Sequence, residues 1–84
     1  MYTFKIRAIL ERDEITPKES HQFRVGRVGR FIDLQEGVPM FFEYLERPGM
    51  LITSPIVDFK EDDYGVWVTT KNSVYRLDHY TNQI

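Results

Sequence analysis

Three arginines set the first chemical question. The run Arg24-Val25-Gly26-Arg27-Val28-Gly29-Arg30 spaces guanidinium groups three residues apart, with glycines between them. A guanidinium presents a planar fork of donors that matches phosphate or carboxylate oxygens. In an extended chain a spacing of three alternates faces, so the three arginines converge only if the backbone bends. Gly26 and Gly29 supply that option. The run reads either as an anion site or as outward residues of an edge strand beside glycine bulges. A second candidate is the pair Trp67 and Arg76. If Val66 and Val68 face the core, Trp67 and Arg76 fall on the opposite face of the same hairpin. Together they can stack a planar ligand or anchor a protein interface. The alternative places Trp67 in a second buried layer. Tyr75 and the aromatics of Phe41–Tyr44 extend the candidate contact surface.

Catalytic signals are weak by comparison. His21 and His79 are the only imidazoles. Ser54 and Ser73 stand in turn or bulge contexts, where serine normally bonds backbone, and neither has an elbow motif. A hydrolase using His21 or His79 is the third functional reading. Glu61-Asp62-Asp63 lacks the spaced ligands and glycine of a calcium loop. No histidine or carboxylate spacing is diagnostic of a metal site. There is no phosphate-cradling glycine loop, zinc finger or RNA-recognition sheet motif. No cofactor or metal is expected, and the reading is non-enzymatic.

Composition narrows the classes. At 84 residues the chain makes one domain, and its 42% hydrophobic and 14% aromatic content can supply a core. A domain this small buries only about 60% of its unfolded surface, so a homo-oligomer is expected. The absence of Cys removes disulfides and thiolate chemistry, and fits a reducing cytoplasmic setting. No apolar run is long enough to span a membrane, and charges at Lys5, Arg7 and Glu11 interrupt any secretion-signal pattern. The net charge of −2 is uneven. Residues 1–30 hold seven basic and four acidic groups, a balance of +3; residues 31–84 hold four and nine, a balance of −5. Without an overall basic excess, duplex DNA is disfavoured as a partner.

The elements that must position these residues are mostly strands. Tyr2 to Leu10 alternates with a period of two. Thr16-Pro17-Lys18-Glu19 has the form of a capping box and predicts a short helix from Pro17 to about Phe23, with an irregular loop as the alternative. Phe31–Leu34 is expected to form a hairpin with residues 39–45. That second segment fits a helix or a strand by periodicity, and its aromatic enrichment favours strand. Pro48-Gly49 signals a turn. Leu51–Ser54 and Ile56–Phe59 read as strand, with Pro55 between them marking an edge or a bulge because it lacks an amide donor, followed by a solvated loop over residues 60–65. Val66–Thr70 and Val74–Leu77 form the clearest hairpin, joined through Lys71-Asn72-Ser73, where Asn tolerates a left-handed backbone. Asp78–Ile84 reads as a polar tail unless Tyr80 or Ile84 docks. Five to seven short strands with closely spaced turns predict a mainly β domain, an SH3-like or Sm-like barrel or a rolled antiparallel sheet with at most one short helix.

Gly37-Val38-Pro39-Met40, Thr53-Ser54-Pro55-Ile56-Val57 and Thr70-Lys71-Asn72-Ser73-Val74-Tyr75-Arg76-Leu77 resemble a group of small bacterial and phage β proteins of uncharacterised function. The shared pattern is G-x-P-M, then T-S-x-V, then T-x-N-S-x-Y, over about half the chain, and the arginine run lies outside it. The resemblance implies no catalytic residue. It implies a phage-type accessory protein that neutralises a host factor by protein–protein contact. The alternative is an oligomeric protein that sequesters an anionic, cyclic or linear, nucleotide signal, with Arg24, Arg27, Arg30 and Arg76 on phosphates and Trp67 or Tyr64 against the base.

Overall fold

A computed structural model describes residues 3–80. Six strands, β1 (Phe4–Leu10), β2 (Val28–Phe31), β3 (Pro39–Tyr44), β4 (Met50–Asp62), β5 (Gly65–Thr70) and β6 (Val74–His79), close in sequence order into an antiparallel barrel. One 3-10 turn, η1 (Glu19–Arg24), joins β1 to β2. The mainly β expectation holds. Closure comes from β1 pairing with β6, which leaves the sheet no open edge. Residues 3–80 do not include Tyr2 or Ile84, so the expectations for those two lie outside the description.

Alternation builds the core. Phe4, Ile6, Met40, Phe42, Leu51 and Leu77 point inward and are buried, as are Ile9, Ile56, Val66 and Val68. In β1 the alternation changes phase at a register shift between Ile6 and Ala8. Ile9 therefore turns inward, although simple alternation from Phe4 put Ala8 and Leu10 there. In the last hairpin the expected division holds: Val66, Val68, Tyr75 and Leu77 join the core, and Trp67 pairs across the outer face with Arg76.

Several boundaries differ from expectation, each for a local reason. The capping box does not form. Lys18 takes the N-cap position in an extended conformation with no side-chain cap, and the Thr16 hydroxyl donates instead to Asp13 Oδ2. Strand-like pairing continues to Lys18, whose amide donates to the Ile9 carbonyl, so the helical turn starts only afterwards. The partner of β3 is Val28–Phe31, not Phe31–Leu34, with Gly29 opposite Tyr44 and Phe31 opposite Phe42. Pro55 sits within β4 beside irregularities of register, against β3 between Pro39 and Phe41 and against β5 between Ile56 and Asp58, in keeping with the expected bulge. It faces Pro39, and its carbonyl accepts from the Lys71 amide, so the ladder passes it without needing its missing donor. Residues 60–62 are strand, not loop: Lys60, Glu61 and Asp62 pair with Trp67, Val66 and Gly65. Asp78 and His79 likewise extend β6 rather than start a tail, and the Tyr80 amide donates to the Thr3 carbonyl. Asn72 is not left-handed; Glu14 is the non-glycine residue with positive φ among those described.

Candidate functional site

The two glycines of the arginine run act differently. Gly26 takes φ +95°, a left-handed conformation that bends the chain out of η1. Its amide donates to the Ile6 carbonyl, and the Ile6 amide donates to the Arg27 carbonyl, so Arg27 is fixed against β1. Gly29 is a close approach. A Cβ there would sit 2.3 Å from the Glu43 carbonyl oxygen and 2.7 Å from a Phe42 ring carbon. This contact draws β2 against β3 and brings the β3–β4 turn beside Arg27. The Leu45 amide donates to the Val28 carbonyl, and the Val28 amide donates to Glu46 Oε1. Arg47 stands in that turn.

The result is a groove of about 400 Å³. Its cationic lining is Arg24, Arg27 and Arg47; its rings are Phe23 and Tyr44. Met50, Leu51 and Ile52 of β4 complete it. The Arg24 guanidinium lies 4.7 Å from the Phe23 ring centroid, and that of Arg27 5.8 Å from Tyr44. Phe23 is 67% exposed. Among the described residues, no carboxylate forms an ion pair with Arg24, Arg27 or Arg47. Guanidiniums without a carboxylate partner beside the exposed Phe23 ring can fork an oxyanion while a planar group stacks alongside. η1 holds Phe23 and Arg24 in place because Gln22 Nε2 donates to the carbonyls of Ile9 and Lys18.

A second groove of about 420 Å³ adjoins the first and shares Arg24 and Ile52 with it. Lys18, His21, Ser54, Asn72 and Ser73 line its far side. Lys18 Nζ donates to the Asn72 carbonyl and to Ser73 Oγ, so its charge is anchored at the β5–β6 turn. Desolvation, then the charges of Arg24 and Lys18, hold the His21 imidazole below its usual pKa; Glu11 opposes them. The cationic field is thus felt by the one titratable imidazole in it.

Arg30 does not join Arg24 and Arg27. It pairs with Glu43 at 2.9 Å and lines a different recess, with Phe4, Phe31, Glu61 and His79. Arg76 is also elsewhere. It lies on the outer face between Trp67 and the small Ala8. Its guanidinium forks Asp62 at 2.9 and 3.0 Å, and Nε donates to Asp78 at 2.7 Å. Trp67 covers it, with the guanidinium carbon 5.2 Å from the ring centroid. The side chain is only 3% exposed, so both partners of the expected Trp67–Arg76 site are occupied with each other and with the carboxylates. The Arg76 hydrogen bonds, with the Tyr64 backbone amide, hold the Asp62 carboxyl down at about 2. Tyr75 is buried in the core, which pushes its hydroxyl up. The expected set therefore splits: Arg24 and Arg27 share the first groove, Tyr75 packs in the core and also lines the second groove, Arg30 turns away, and Trp67 and Arg76 are engaged with each other and the carboxylates.

The candidate catalytic residues are engaged locally. His21 Nδ1 lies 2.8 Å from Ser20 Oγ, and Ser54 Oγ accepts from the Asn72 amide. Ser73 is buried. Among the described residues no group of three or more histidines and carboxylates is placed to hold a metal ion, and no helix is long and apolar enough to cross a membrane. Sequence reasoning missed Arg47 and Phe23. Arg47 carried one usable signal, its position beside the Pro48-Gly49 turn. No protein family, curated protein or solved structure matches the chain.

Proposed function

We propose that this barrel is a non-enzymatic binding module for an anionic nucleotide ligand. One observation carries the reading. Three arginines, one of them distant in sequence, line a single groove with two aromatic rings, and none has a carboxylate partner among the described residues. Three cations elsewhere on the barrel do pair with carboxylates: Arg7 with Asp78, Arg30 with Glu43, and Arg76 with Asp62 and Asp78. Leaving like charges together without counter-charge is unfavourable unless a ligand supplies it. Thermal unfolding in the presence of linear and cyclic dinucleotides tests this. A ligand at a hundredfold excess over Kd stabilises the fold by about 2.7 kcal/mol, a rise of roughly 10–20 °C for a domain this size. Arg27→Ala is expected to abolish the rise and Arg30→Ala to preserve it. No rise across the panel, or equal loss in both variants, refutes the reading.

A second reading, neutralisation of a host protein by direct contact, rests on the outer face of β3 and β4. Phe41 lies opposite Ile52 there, with Met50 one pair further along, and all three are exposed. Such a patch edged by arginine has the composition of an interface centre. Phe41→Ser, at the patch residue that lines neither groove, is expected to abolish a stable complex on size exclusion and leave dinucleotide binding intact. The same chromatography reports whether the patch instead joins copies of this chain.

A further inference from the structure

We infer that the nucleotide ligand is a single strand of nucleic acid that runs across both grooves, rather than one free nucleotide held in the first. The inference rests on the proposed function and deepens it. The two grooves are continuous through Arg24 and Ile52. Along them lie four cations in succession of place: Arg47 and Arg27 in the first, Arg24 at the junction, Lys18 in the second. A free nucleotide needs only one of these grooves, whereas a chain of phosphates needs a row of cations. The exposed Phe23 ring stands at the Arg24 junction. A ring so placed can stack on an unpaired base, and a duplex offers no such base face. The remainder of the barrel favours the same choice, since the chain's net charge of −2 leaves no broad basic face for a duplex. Around Lys18 the lining also holds Ser54 and the Asn72 side chain, polar groups suited to sugar and base edges.

The test is fluorescence anisotropy of the whole chain with labelled oligothymidylates of two, four, six and twelve nucleotides, and with hexauridylate, at 50 and 200 mM NaCl. Affinity is expected to rise with length and level off at about four to six nucleotides, the short end of what small barrels occupy. With four phosphates neutralised, the salt slope for a single strand is about −3, so hexathymidylate binds about 50-fold more weakly at the higher salt. Hexauridylate, measured alongside, separates DNA from RNA as the source of the strand. Phe23→Ala, at an exposed position, is expected to weaken hexathymidylate about tenfold. Lys18→Gln keeps a donor for the β5–β6 turn and is expected to weaken the hexamer while sparing dithymidylate; Arg47→Gln weakens both. Unchanged melting temperatures confirm that the variants fold. Equal affinity from two to twelve nucleotides overturns the inference and leaves the proposed function standing. A hexaglutamate peptide or a duplex binding as tightly as the hexamer also overturns it. No binding of any nucleotide overturns both.

Discussion

Gly29→Ala is the sharpest structural perturbation the barrel offers, because it strikes the contact that assembles the groove. The new Cβ would stand 2.3 Å from the Glu43 carbonyl oxygen and 2.7 Å from the Phe42 ring. The ring can turn, but the carbonyl belongs to the β2–β3 ladder and cannot retreat without loosening it. Relief requires a shift of about 1 Å between two strands, and overpacking of this kind costs about 1–3 kcal/mol. Loss of the neighbouring ladder bonds adds about 1 kcal/mol. A total of about 2–4 kcal/mol lowers Tm by roughly 10–25 °C. Urea and thermal unfolding followed by Trp67 fluorescence measure it, with the m-value expected to stay constant. Gly26 is the control, since nothing lies within 4 Å of its Cβ position but φ is +95°. Gly26→Ala is expected to cost about 1–2 kcal/mol from backbone strain alone, and Gly26→Asn less, because Asn tolerates a left-handed backbone. Were Gly29→Ala within about 0.5 kcal/mol of the parent, a neutral surface substitution by the usual measure, close strand approach would not be what builds the groove.

Three further outcomes follow from the charges. Arg76→Ala is expected to cost about 2–3 kcal/mol, below the full cost of breaking a buried pair because Asp62 and Asp78 can rehydrate, and Trp67 emission should shift to the red; Arg7→Ala, at a mostly exposed pair with Asp78, should cost under about 1 kcal/mol. Asp62 is held near 2 against an ordinary 3.8, so its contribution is complete above pH 3.8 and is lost as pH falls toward 2; Asp62→Asn should flatten that acid limb of the stability curve, and an unchanged limb would count against the pairing. His21 is depressed below 6.5 by burial and by Arg24 and Lys18, so a bound polyanion should raise it. Binding should then take up protons and tighten as pH falls below 6.5, a dependence that His21→Gln should remove in calorimetry run in buffers of different ionisation heat.

The barrel itself was legible because most of its strands obey a period of two and its turns carry Gly, Pro and Asn. Where reading by alternation failed, register decided. A slip between Ile6 and Ala8 exchanges the faces of Ala8 and Ile9, and no residue type announces it. Pro55 signalled an edge or a bulge, and the register indeed shifts on both sides of it, while its place opposite Pro39 asks no donor of it. The charges of residues 60–62 looked like solvent, but an outward strand face is equally wet. The capping box lost to pairing between Ile9 and Lys18. The site was half legible. Arg24 and Arg27 lie in one short run, and a single bend at Gly26 brings them together. Arg30 was misplaced because Glu43, its cross-strand partner, is visible only once β2 and β3 are in register. Arg47 joins the groove through the same register, so charge counted by halves of the chain concealed it.

The central claim is that the ligand sits among Arg24, Arg27 and Arg47. Its most direct measurement is a titration of isotope-labelled protein with a linear dithymidylate, following the arginine Nε–H resonances by NMR. The account predicts the largest shifts at Arg24, Arg27 and Arg47, with Arg30 and Arg76 still because Glu43 and Asp62 hold them. Shifts centred on Arg30 or Arg76, or none at any arginine at millimolar ligand, would contradict it.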